Sequence, residues 1–198
     1  TNFHDYMLPH PNFRVWNDNI QFFVKNNVRG IFEQDDYQSY NGEFSPLGGY
    51  MEAKFLWNPR YDEDTAMNEF LNGVYGKKPA KYIRRYIDIL HDKVAAENIH
   101  MNIWQSPQEV EYLTPDVMKK GRKLWDKAEK AARKKPDLLE RVRTARLSFD
   151  YAWIEQNKGG AFVFDHPHFR AATAPEYYKT VNRFFDVARR AKVTRMDE

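Results

Sequence analysis

Glu33, Asp35 and Asp36 crowd together with Gln34 directly after a short apolar run, Val28-Arg29-Gly30-Ile31-Phe32, and Tyr37 follows them. An apolar run of this length reads as a strand, and in α/β proteins the ends of strands are where chemistry usually sits. Two carboxylates facing a sugar ring are what glycoside hydrolysis needs. One protonates the leaving oxygen and the other attacks or activates water. Burial or a like-charged neighbour would raise the pKa of one of them. The competing reading is a solvated acidic loop that merely ends the strand. The spacing E-x-D-D matches no complete set of metal ligands, so no metal is expected.

His4-Asp5-Tyr6 is a second group. If it ends the preceding strand, it lies on the same rim as Glu33, and His4 could donate a hydrogen bond to substrate. A capped or surface histidine is the alternative. The basic residues from Lys119 to Arg146 could suggest phosphate binding, but Asp126, Glu129, Asp137 and Glu140 intervene at helical spacing, as on solvated helices. No nucleic-acid motif accompanies them. His166-Pro167-His168 resembles a fragment of a metal site without further ligands at motif spacing. A phosphate loop, a nucleophile elbow and a zinc signature are all missing, and no cofactor is expected.

The elements that must position these groups are mostly helices. Pro9 and Pro11 force an extended loop. Asn12 then caps a helix from Phe13 to Asn26 with Trp16, Ile20, Phe23 and Val24 on one face. The Val28 strand follows after a short turn, half of a βα repeat. Ser45 as N-cap and Pro46 at the first position predict a helix running to Pro59. Gly48-Gly49 inside it implies close approach of a neighbour, since each Gly costs about 1 kcal/mol relative to Ala.

Beyond Pro59 strands no longer alternate with helices. Helices are predicted from Asp62 or Asp64 to Gly76 and from Pro79 onward. Short and longer ones follow at Ser106-Pro107 and Thr114-Pro115, and then one from Pro136 to Gly159. Phe162-Val163-Phe164 reads as a short extended piece, and Thr173-x-x-Glu176 caps a last helix. The expected fold is mainly α, with βα units over 1–60 and an irregular antiparallel helical bundle over 61–198.

The chain has 198 residues, a net charge of +3, 30% charged residues and no Cys. This near balance argues against a dedicated nucleic-acid binder. No apolar run reaches the ~18–20 residues of a membrane span. Aromatics make up 16%, which suits a large core and would also suit stacking on sugar rings. The sequence opens on Thr1 without a leader, and a C-terminal piece of a longer protein is expected.

Several stretches resemble one bacterial family of glycoside-hydrolase-like proteins, domain of unknown function 4838. They are Pro11-Asn12-Phe13-Arg14-Val15, Asn19-Ile20-Gln21-Phe22-Phe23, Val28-Arg29-Gly30-Ile31-Phe32-Glu33-Gln34, Gly42-Glu43-Phe44, Ala53-Lys54-Phe55-Leu56-Trp57-Asn58-Pro59, Glu69-Phe70-Leu71-Asn72-Gly73-Val74-Tyr75-Gly76 and Ile83-Arg84-Arg85-Tyr86-Ile87. The resemblance covers roughly the first half of the chain. It implies the last two βα units of a (β/α)8-type barrel related to those of α-glucuronidases and hexosaminidases, with Val28–Glu33 as the final strand and a helical C-terminal domain behind.

On that reading Glu33 and Gln34 stand at the barrel mouth, and Asp35, Asp36, Tyr37, His4 and Tyr6 join them in contacting a glycan. Glu33 is the candidate catalytic carboxylate, paired with an acid on a strand this chain lacks. The implied partners are the glycan and the missing N-terminal barrel part, in a periplasmic or extracellular parent. Exposed apolar surface on 1–57 would drive self-association into a homo-oligomer. Two alternatives stay open: a non-catalytic carbohydrate-binding protein, and a structural helical module anchored by Trp104, Trp125 and Trp153.

Overall fold

A computed structural model of the chain describes residues 2–35, 42–158, 162–165, 168–171 and 175–196. It is mainly helical: α1 Phe13–Lys25, α2 Ser45–Trp57, α3 Glu63–Tyr75, α4 Lys77–Ala96, α5 Pro115–Ala132, α6 Pro136–Asn157 and α7 Pro175–Arg190. Strands β1 Phe162–Asp165 and β2 His168–Ala171 form an antiparallel hairpin in which Phe162 faces Ala171.

Local signals set most boundaries. Asp62 caps α3 by accepting from the Thr65 N–H, and Thr114 caps α5 by accepting from that of Val117. Pro115 and Pro136 stand at the first positions of α5 and α6, where the missing N–H costs nothing. Gly76 ends α3 with φ of 70° and starts α4 at once, a left-handed turn that glycine adopts without strain.

Some predicted details differ. At α1 the Asn12 side chain makes no cap bond; the orphan N–H of Phe13 donates to Nε2 of His91 on α4 instead, at 3.1 Å. The Ser106–Glu109 capping box forms a turn rather than a helix, closed by Glu109 N–H to Ser106 O and Ser106 N–H to Glu109 Oε2, both 3.0 Å. The expected strand over 28–33 joins no ladder; a strand needs a neighbour, and among the described residues none pairs with it. The Thr173 cap lies outside the described residues.

Helices adjacent in sequence pack on one another from α1 to α4, then α4 on α5, α5 on α6 and α6 on α7, and α3 also meets α6. One apolar cluster runs from Leu8 through Leu47, Phe55, Ile83 and Trp125 to Phe149 and Ala152, drawing on residues on both sides of Pro59. A smaller one joins Met7 to Leu147 and Tyr151 of α6 and to Phe184 and Val187 of α7. Trp125 is in the core, Trp153 is partly buried, and Trp104 is exposed beside Phe3.

Polar clamps register the helices. Arg14 of α1 reaches Asp88 and Asp92 of α4. Lys54 of α2 bonds Glu69 and the Tyr61 hydroxyl and lies over the Tyr50 and Tyr61 rings. Arg146, 2% exposed, collects Asp126 and Glu129 of α5 and Asp150 of its own helix, while Arg183 of α7 binds the same Asp150.

Candidate functional site

The acidic segment is delivered by the end of α1. Asn27 takes a left-handed φ of 59°, and the Val28 N–H returns to Phe23 O at 3.0 Å, which closes the helix and turns the chain back along it. Residues 28–35 then run without a ladder to Asp35. The Ser45 hydroxyl donates to Asp35 Oδ2 at 3.2 Å. Ser45 was expected to cap α2, but its hydroxyl is engaged by Asp35. Phe44, at φ 45°, occupies the cap position, and its carbonyl accepts from the Leu47 and Gly48 N–H groups. The Phe44 ring is buried against Trp125, which holds this strained residue in place.

Between α1, the 33–35 segment and α2 lies a small polar cavity of about 120 Å³. Glu33, Gln34 and Asp35 form one side, Glu43, Ser45 and Glu52 another, and Trp16 the third. Ser45, Gly48 and Glu52 fall on one face of α2 by helical spacing. Gly48 has a specific reason: a Cβ there would lie 3.2 Å from Cη2 of Trp16, so glycine lets the indole rest on the helix without being pushed outward. Asn12, with its amide oriented to satisfy both neighbours, accepts from Trp16 Nε1 and donates to His10 O, fixing the ring.

The charges are frustrated. Burial, and then the nearby Glu33 and Asp35 carboxylates, push the Glu52 carboxyl up to about 7. Near neutral pH this pocket therefore offers, beside Glu33, Asp35 and a half-buried indole, a Glu52 carboxyl poised between its protonated and ionised forms. That combination can donate to and accept from hydroxyls, and can move a proton.

The structure thus brings Glu33, Gln34 and Asp35 together and adds Glu43 and Glu52, which sequence reasoning missed. The signal for Glu52 was its place seven residues after Ser45, on the face carrying Gly48. His4 and Tyr6 do not line this pocket. Nδ1 of His4 meets Asp5 Oδ2 at 2.5 Å, and Asp5 also accepts from the Tyr151 hydroxyl, which draws this turn toward α6. The Tyr6 ring is in the core, while its carbonyl accepts from the Glu43 N–H at 3.0 Å. Asp36 and Tyr37 lie outside the described residues, as do His166 and Pro167. Among the described residues no group of His, Cys, Asp or Glu could hold a metal ion, and no helix is long and apolar enough to cross a membrane.

Residues 1–88 match the family described as Domain of unknown function (DUF4838), the family whose resemblance the sequence carries, and the match ends within α4. No curated protein and no solved structure gives a significant match.

Proposed function

We propose, from the match of residues 1–88 to the DUF4838 family, that the chain is the C-terminal part of a carbohydrate-active, glycoside-hydrolase-like protein. Residues 1–60 supply the end of its barrel and one wall of a sugar-binding cleft, and 61–198 form a bracing helical domain. The observation that carries this reading is the pocket that Glu33, Asp35, Glu43 and Glu52 line together with Trp16. Carboxylates that bind hydroxyls beside an aromatic face are what a pyranose ring requires.

The missing wall has a natural place. The large apolar side chains left exposed include Val15, Phe22, Val24, Val28, Ile31, Phe32, Leu56 and Trp57, with Phe32 at 84% and Trp57 at 91%. Val15 and Phe22 share the face of α1 opposite buried Phe13 and Ile20. A helix apolar on two faces is suited to burial on both. The remaining barrel of the parent, acting outside the cytoplasm, would cover this side. The chain alone holds only part of the active site.

The test uses the full-length parent and a panel of oligosaccharides. Glu33→Gln and Glu52→Gln should each lower kcat/KM at least tenfold on any glycan cleaved, with no loss of thermal stability. Unchanged rates for both would refute the reading. Binding of glycans without release of new reducing ends would replace the hydrolase by a binding protein with the same cleft.

A further inference from the structure

A second pocket lies on the other side of Phe44, between α2, α3 and α6, with a volume of about 370 Å³. It shares only Phe44 with the carboxylate pocket. Its walls are apolar and largely aromatic, from Phe44, Phe70, Val74 and Tyr75. Besides the Tyr75 hydroxyl, its polar side chains come from one stripe of α6: Arg141, Thr144 and Ser148, at spacings of three and four residues.

Ser148 is 3% exposed, and its hydroxyl has no hydrogen-bond partner among the described residues. A buried hydroxyl in an otherwise apolar wall is normally satisfied. At the other end Arg141 is exposed, and its guanidinium makes a long bond, Nε donating to the Asp137 carbonyl of its own helix at 3.4 Å. Seven helical residues separate the two, a rise of about 10 Å.

We propose that this pocket binds a small aromatic carboxylic acid with a polar group at its far end. The carboxylate pairs with the Arg141 guanidinium, the ring lies among Phe44, Phe70 and Tyr75, and the distal hydroxyl bonds Ser148 Oγ. An arylalkanoate carrying a para-hydroxyl spans just under 10 Å, so it reaches both polar ends. A sugar fits worse, because the walls offer few partners for its many hydroxyls. A neutral apolar ligand would leave the Ser148 hydroxyl unsatisfied and make no use of Arg141.

The 198-residue chain is titrated with 3-(4-hydroxyphenyl)propanoate, its primary amide and 3-phenylpropanoate, followed by ligand-observed NMR and calorimetry. The acid should bind with the highest affinity. The amide should bind at least tenfold more weakly, and the compound lacking the hydroxyl several-fold more weakly. Arg141→Gln should erase the preference for acid over amide, and Ser148→Ala should erase the preference for the hydroxyl. Both variants should melt close to the wild type, Arg141 because it is exposed and Ser148 because it has no bond to lose. No binding of the acid by the wild type, equal binding of acid and amide, or an Arg141→Gln variant that keeps the preference would each overturn the assignment.

Discussion

Gly121 of α5 marks a tight contact with α4 and α6, and replacing it by alanine tests the packing directly. A Cβ at this position would lie 2.8 Å from Cε2 of Phe149 on α6 and 3.1 Å from Cε2 of Tyr86 on α4. Comfortable carbon contacts begin near ~3.5 Å, so both rings must retreat by roughly half an ångström. They cannot easily do so. Phe149 and Tyr86 are 0% and 1% exposed and pack edge to face with centroids 5.8 Å apart. Overpacking of this kind costs about 1–3 kcal/mol. Gly→Ala in a helix interior returns about 1 kcal/mol. The net expectation for Gly121→Ala is a loss of up to about 2 kcal/mol, or up to roughly 8 °C in Tm for a chain of this size.

Gly73 in α3 and Gly49 in α2 are internal controls, because a Cβ there meets nothing within 4 Å. Gly73→Ala and Gly49→Ala should raise Tm by a few degrees. The assay is thermal and urea unfolding followed by circular dichroism. Phe149→Leu should partly relieve Gly121→Ala, so that the double variant is more stable than the two losses added together. A Gly121→Ala variant that melts with Gly73→Ala, above the wild type, would show that the helices are not held at this distance.

Other consequences follow from charge and burial. His91 is neutral in the fold, with Nδ1 donating to Ile87 O and Nε2 accepting from Phe13 N–H, and burial pushes it down to about 4; burial does the same to His10. A lowered histidine contributes stability present above its unfolded value of ~6.5 and lost as pH falls toward 4, up to about 2 kcal/mol each between pH 7 and 5. Urea midpoints should fall over that interval, and His91→Gln should flatten the fall; a midpoint independent of pH would contradict the buried neutral ring. Glu52 acts with the opposite sign: its raised pKa gives stability that is present below ~4.5 and lost as pH rises through 7. Glu52→Gln should therefore be about 1–2 kcal/mol more stable than wild type at pH 8, a figure discounted for its partial exposure, and about equal to it near pH 4, as read from the same denaturation curves. Arg146→Met strands carboxylates from two helices and should cost about 3 kcal/mol; a loss below about 1 kcal/mol would mean that Arg183 alone suffices for Asp150.

The sequence by itself determined where most helices begin and end. Asp62, Thr114, Pro115, Pro136 and Gly76 act on backbone groups within a turn of themselves, so their effect is local and readable. The apolar stripes of Ile83, Tyr86, Ile87 and Leu90 likewise announced the buried face of α4. Tertiary structure decided whatever depends on a distant partner. The acids at 33–35 were visible, but their company was not: Glu52 joins them only because Gly48 admits Trp16 and α2 lies against α1. Ser45 gave up its capping role because Asp35, ten residues earlier, took its hydroxyl. Asn12 lost its own to His91, nearly eighty residues later. A strand at 28–33 was legible as a pattern, yet pairing is a property of two segments, and one segment cannot encode its neighbour.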